Sequence, residues 1–143
     1  MNVQTLVETY KTANPFTLAD NLGIEYHYVD FPEKLKGRIV VYDEEPIILL
    51  NESIKETTDK YFVMGHELKH ALDHSDLIGY YSLCYGGKGK LEREANDFAE
   101  QLMYYFQKEI AWGIIRTSMS DRKSYGTYTR KFLDLIGEEF FCA

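Results

Sequence analysis

Cysteine is scarce in this chain. Its 143 residues hold two, Cys84 and Cys142, in no CxxC or CxxH unit. That excludes a disulfide framework and a thiolate-built metal site, and it fits two reduced thiols in an intracellular protein. Cationic charge is also short. Lys and Arg number 16 against 23 Asp and Glu, a net charge of −7, so the electrostatic footprint of a DNA- or RNA-binding protein is missing. Such a balance suits a basic partner instead. No apolar run approaches the ~20 residues needed to span a bilayer. The opening "MNVQTLVETYKTANPF" carries acidic and polar residues where a signal peptide needs a basic start and an apolar stretch. No internal repeat or low-complexity linker interrupts the chain. These absences predict a cytoplasmic protein of one domain over 1–143, with no membrane contact and no direct nucleic-acid contact.

What is present is enough for a core. Apolar residues make up 45% of the chain and aromatics 15%, which argues for a compact fold. Val3, Leu6, Val7 and Tyr10 show helical spacing. Asn14-Pro15 reads as a cap with proline at the first helical position, and Gly23 ends that helix after Leu22. "IEYHYVDF" reads as a strand, and "GRIVVY" and "PIILLN" flank a turn at "DEEP". After Asn51 a capping-box pattern, Ser53 to Glu56, or Thr57 or Thr58, offers starts for a helix running to about residue 74. Gly79, Gly86, Gly87 and Gly89 mark a loop. A second strong helix begins near Lys90, with Leu91, Ala95, Phe98, Ala99 and Leu102 on one side, and continues toward Trp112. A break falls near residue 120, and a last helix holds Phe132, Leu133, Leu135 and Ile136. The sum is an α+β fold: a small antiparallel or mixed sheet of about three strands packed against a helix pair. Within it, 1–55 hold the N-terminal helix and sheet, 56–112 the paired helices, and 113–143 a helical tail.

The paired helices carry the chemistry. Three of the four histidines, His66, His70 and His74, stand four apart in "VMGHELKHALDH". His66-Glu67-Leu68-Lys69-His70 is an HExxH motif. On a helix, i and i+4 share a face one turn apart, so two imidazoles can grip one Zn²⁺ from the same side. Glu67 lies about 100° around from His66. There it flanks the ion and can take a proton from water. His74 is about 6 Å further along the axis than His70, too far for the same tetrahedral ion, and belongs near the helix end. His27, on a predicted strand, reads as structural. Asp73 reads as surface or as a partner to a ligand.

A zinc peptidase site needs a third protein ligand and an open fourth position. "KLEREANDFAEQL" supplies it on the next helix. Glu92 and Asn96 share a face, so Glu92 can complete a His₂Glu set, while Asn96 can orient His66, His70 or Glu92. Glu94, the rival ligand, points about 200° away from Glu92 on an ideal helix. Tyr80, Tyr81 and Tyr85 lie in the loop between the helices as possible oxyanion donors, none singled out. "YGGKGK" lacks the GxxxxGK[ST] pattern of a phosphate loop.

"GHELKHALDH" followed by "EREANDFAEQLM" resembles the ImmA/IrrE metallopeptidases of phages, integrative elements and bacteria. That family pairs HExxH with ExxANxFA on the next helix, met here by Glu92, Ala95, Asn96, Phe98 and Ala99. The resemblance covers about residues 1–105. It implies a zincin-like fold, Zn²⁺ held by His66, His70 and Glu92, Glu67 as the catalytic base, and a helix-turn-helix transcriptional repressor as the protein substrate whose cleavage relieves repression. Two other readings stand beside it. One is a zinc-containing, non-proteolytic antirepressor that sequesters its partner. The other is a non-haem Fe(II) enzyme, since two histidines and a carboxylate also suit that ion. The metal could also be manganese or cobalt, and oligomeric state is open.

Overall fold

The computed structural model of the chain describes residues 2–73 and 89–118. His74, the tyrosines at 80, 81 and 85, both cysteines and the C-terminal helix expected around 132–136 lie outside the described residues. Helices α1 (Val3–Tyr10) and α2 (Pro15–Leu22) are followed by strands β1 (Glu25–Val29), β2 (Gly37–Tyr42) and β3 (Glu45–Asn51). Helices α3 (Asp59–Asp73) and α4 (Lys90–Ser118) are the last elements among the described residues. The α+β architecture expected from the pattern is the one the chain adopts. No helix among the described residues is long and apolar enough to cross a membrane.

Local chemistry sets the first elements. Asn2 caps α1, its side chain accepting from the Thr5 N–H at 2.7 Å. Asn14 caps α2, accepting from the Phe16 N–H at 3.0 Å, with Pro15 at the first position. Gly23 ends α2 at φ 72°, a left-handed conformation that costs glycine nothing. Of the starts offered after Asn51, the helix uses the last, Thr58, and not the Ser53–Glu56 capping box. The Asn51 side chain takes the Ser53 N–H at 3.0 Å, which draws Glu52–Ile54 into a 3₁₀ turn. The α-helix then starts at Asp59. At the other end, α4 runs on to Ser118, beyond Trp112, where the sequence reading ends the paired helices.

The sheet is mixed, in the order β1-β3-β2. β2 and β3 form a hairpin with Tyr42 opposite Glu45. Asp43 and Glu44 both have positive φ, 52° and 66°, the two-residue turn whose twist matches the strands. Pro46 then faces Val41. That is a non-hydrogen-bonded pair, where the missing N–H is not called upon. β1 pairs parallel with β3 on its other side, Tyr26 beside Ile48 and Tyr28 beside Leu50. One face of the sheet therefore carries Tyr26, Tyr28, Ile39, Ile48 and Leu50, and Gly37 stands in the same row on the edge strand.

This face packs on α3, and α3 packs on α4. Leu6, Leu18, Ile48, Leu50, Met64, Leu68 and Leu102 are wholly buried between the layers. Phe16 meets Tyr26 and Tyr61 edge-on at 5.3 and 5.7 Å, and Tyr61 meets Phe106 at 4.9 Å. One aromatic chain thus ties α2, β1, α3 and α4 together. Glu109 ties the α1–α2 corner to α4 by accepting from the Ala13 N–H at 3.0 Å and the Thr12 hydroxyl at 3.1 Å.

The loop from β1 to β2 is held by one side chain. Buried Asn51 donates its amide to the carbonyls of Phe31, Pro32 and Leu35 at 3.3, 3.1 and 2.8 Å. Its backbone N–H bonds Lys36 O at 2.9 Å. The Asn51→Ala variant strands these acceptors and should lose roughly 2–3 kcal/mol of stability, read as a lower urea midpoint at unchanged slope.

Candidate metal centre

The last two turns of α3 meet the first turn of α4. His66 Nε2 and His70 Nε2 lie 3.2 Å apart. Glu92 spans both: its Oε2 is 2.9 Å from His66 Nε2 and its Oε1 is 2.9 Å from His70 Nε2. The three residues each offer one donor atom, all within 4.8 Å of one another. Helix spacing brings the imidazoles onto one face, as the pattern predicts. The approach of α4, which no local pattern dictates, delivers the carboxylate.

Those edges match a first-row divalent ion. Ligand bonds of about 2.0–2.1 Å give donor–donor edges of roughly 3.3 Å in a tetrahedron and 2.9 Å in an octahedron. The arrangement also calls for positive charge. His66 Nδ1 lies 2.8 Å from Asn96 Oδ1 and, given that amide orientation, donates its proton there. This leaves the Nε2 lone pair turned toward the carboxylate of Glu92. Two acceptors converge, and a cation at their focus relieves the repulsion. Of the three roles open to Asn96, orienting His66 is the one the geometry selects. Removing that partner, Asn96→Ala, should weaken metal affinity about 10–100-fold, measured by chelator competition.

The other residues singled out in the sequence stand apart. Glu94 approaches Lys90 at 3.9 Å and is not among the three donors. His27 is exposed on β1, 3.4 Å from Glu25. Asp73 pairs with Lys69 one turn earlier, so it belongs to the surface of α3.

Glu67 lies against the start of β2, its Cγ 3.1 Å from where a Cβ at Gly37 would sit, and close enough to Glu92 to feel its charge. It is buried, with 8% of its surface exposed. Burial first, and the nearby Glu92 carboxylate second, push its carboxyl up to about 8. A cation among the three donors would favour the ionised form and pull that value down. In the metal-free protein the native state holds this proton more tightly than the unfolded chain does. The stability it represents is complete below about pH 4.5 and is lost as pH rises toward 8. Over that span this one group should cost metal-free protein roughly 4 kcal/mol, a loss that metal-free Glu67→Gln is spared. Thermal melts from pH 4.5 to 8 check this, and parallel curves for the two proteins would refute it.

Sequence reasoning did not find Gly37, whose backbone lies against Glu67. A Cβ built there would meet Glu67 Cγ at 3.1 Å. A lone glycine at a strand start carries no signal that a buried carboxylate will pack on it.

Comparison with known proteins adds two findings. The family profile described as the IrrE N-terminal-like domain, of peptidase family M78, matches residues 19–110. An "Uncharacterized immunity region protein 2" of Bacillus phage phi105 is 29% identical over 103 residues, covering 71% of this chain and 65% of the phage protein. The chain thus spans just under two thirds of that relative's length. No solved structure matches.

Proposed function

Since this chain belongs to the IrrE N-terminal-like domain family of peptidases, we propose that it is a zinc-dependent endopeptidase whose substrate is a helix-turn-helix transcriptional repressor. The observation that carries the reading is the focus of His66 Nε2, His70 Nε2 and the Glu92 carboxylate on one point, with Glu67 on the next face of the same helix. His66, His70 and Glu92 would hold the ion, and three protein donors leave a position for substrate. The chemistry zinc supplies when bound is Lewis acidity, which polarises a peptide carbonyl and acidifies water. Glu67 accepts the proton of the attacking water and passes it to the departing amine. Asn96 keeps the His66 ring in the tautomer and orientation that binding needs.

The repressor as substrate is supported by the phage relative, an immunity-region protein, and by the net charge of −7, which suits a basic DNA-binding partner. The test is to mix the zinc-loaded chain with a purified helix-turn-helix repressor from the same genome and look for discrete fragments on a gel. Fragments that a chelator prevents support the reading. Intact repressor with weakened DNA binding would instead favour a sequestering antirepressor. Metal analysis of protein purified without added metal, with an oxygen-consumption assay, separates zinc from iron.

A further inference from the structure

Helix α3 is wedged between two backbones. On one side Gly65 lies against α4: a Cβ there would sit 3.4 Å from Ala99 Cα and from Leu102 Cδ1. On the other side Gly37 opens β2, and a Cβ there would sit 2.8 Å from Val63 Cγ1, 3.1 Å from Glu67 Cγ and 3.2 Å from Glu67 Oε1. Gly37 has no positive φ, so its backbone conformation does not ask for glycine. The space filled by two side chains of α3 does.

Neither backbone has room to yield. Gly37 is in register with Leu50, and the next residue of β3, Asn51, bonds Lys36 O and Leu35 O at 2.9 and 2.8 Å. The start of β2 is therefore pinned. Helix α3 is backed by α4 through Gly65. A methyl group at position 37 must be accommodated by Val63 or Glu67. The 2.8 Å approach obliges Val63 Cγ1 to shift, and the 3.1 and 3.2 Å approaches oblige the Glu67 side chain to give as well; Val63 is β-branched and stiff in a helix, so the larger turn falls to the longer Glu67. The three nearest atoms belong to Val63 and Glu67, and none to His66, His70 or Glu92.

We propose that Gly37 is a positioning residue for Glu67: the bare backbone at the start of β2 is the surface that holds the Glu67 carboxylate beside the His66–His70–Glu92 cluster. The inference rests on the reading of Glu67 as the proton acceptor in peptide hydrolysis. Gly37 is not among the three donors; it acts through the place it leaves for the Glu67 side chain.

The test is Gly37→Ala in the full chain, with three measurements. Zinc affinity by chelator competition should equal that of the wild type. In metal-free protein, the side-chain carboxyl carbon NMR resonance of Glu67, identified by its loss in Glu67→Gln, should shift, whereas in Val63→Ala it should stay. Cleavage of the same repressor by zinc-loaded protein should show kcat lower on the order of 100-fold with KM unchanged, since only the reacting geometry is disturbed. The double variant Gly37→Ala/Val63→Ala removes the 2.8 Å contact but leaves those to Glu67, and it should stay slow. Wild-type kcat in Gly37→Ala, an unmoved resonance, or full recovery in the double variant would each overturn the proposal. So would failure of both variants to fold, because the requirement at 37 would then belong to the fold. If Glu67→Gln cleaves at the wild-type rate, the role of Glu67 fails. The NMR measurement, made without substrate, still decides whether Gly37 sets the carboxylate's place.

Discussion

Glu67→Gln is expected to bind zinc as the wild type does and to cleave the repressor slower by on the order of 10²–10⁴-fold. The glutamine keeps the length and shape of the side chain, so the packing against Gly37 and Val63 survives. The three donors, His66, His70 and Glu92, are untouched. What goes is the ability to take a proton from water and return it to the amine. The result separates two kinds of failure. Lost zinc would mean that Glu67 supports the cluster rather than the reaction. Retained zinc with an undiminished rate, measured as fragment formation under single-turnover conditions, would remove Glu67 from the chemistry. The substitution also eliminates the buried ionisable group, so the same variant is more stable than the wild type in metal-free form near pH 8. A dead but stable variant cannot be dismissed as misfolded.

The second large effect concerns Glu92. Zinc at about 1,000 times its dissociation constant should stabilise the wild type by about 4 kcal/mol, because it binds the folded chain and not the separated donors. Glu92→Ala removes the one anion of the cluster and both of its 2.9 Å contacts. Zinc affinity should then fall by more than the roughly 10–100-fold typical of losing a partner that only orients a ligand. The zinc-induced rise in melting temperature should disappear with it. Glu94→Ala is the control, because Glu94 is not among the three donors; it should keep the full shift. Equal shifts in Glu92→Ala and the wild type would mean that the ion sits elsewhere.

How far such expectations can be read from the chain depends on the distance over which each feature is set. Caps and turns are local, and Asn14-Pro15, Gly23 and the Asp43–Glu44 turn appear where their residue types place them. The spacing of His66 and His70, and of Glu92 and Asn96, follows from helix geometry alone. Of the starts the sequence offers for α3, Thr58 is the one used, because Asn51 takes the Ser53 N–H and draws Glu52–Ile54 into a 3₁₀ turn. The rest of what Asn51 holds is a loop some 15–20 residues earlier, a link that has no periodic mark. The parallel pairing of β1 with β3 was likewise left open between antiparallel and mixed, since "IEYHYVDF" offers the same alternating side chains to either neighbour.

Residue spacing alone determined the elements and which donors share a helix face, because a helix repeats by a rule that holds for any residue. Tertiary structure decided which faces meet. It set the carboxylate of Glu92 across both imidazoles, chose His66 as the partner of Asn96, and buried Glu67 against the bare backbone of Gly37. Those contacts join residues 22 to 30 positions apart, where packing of the whole core, and no local preference, fixes the distance.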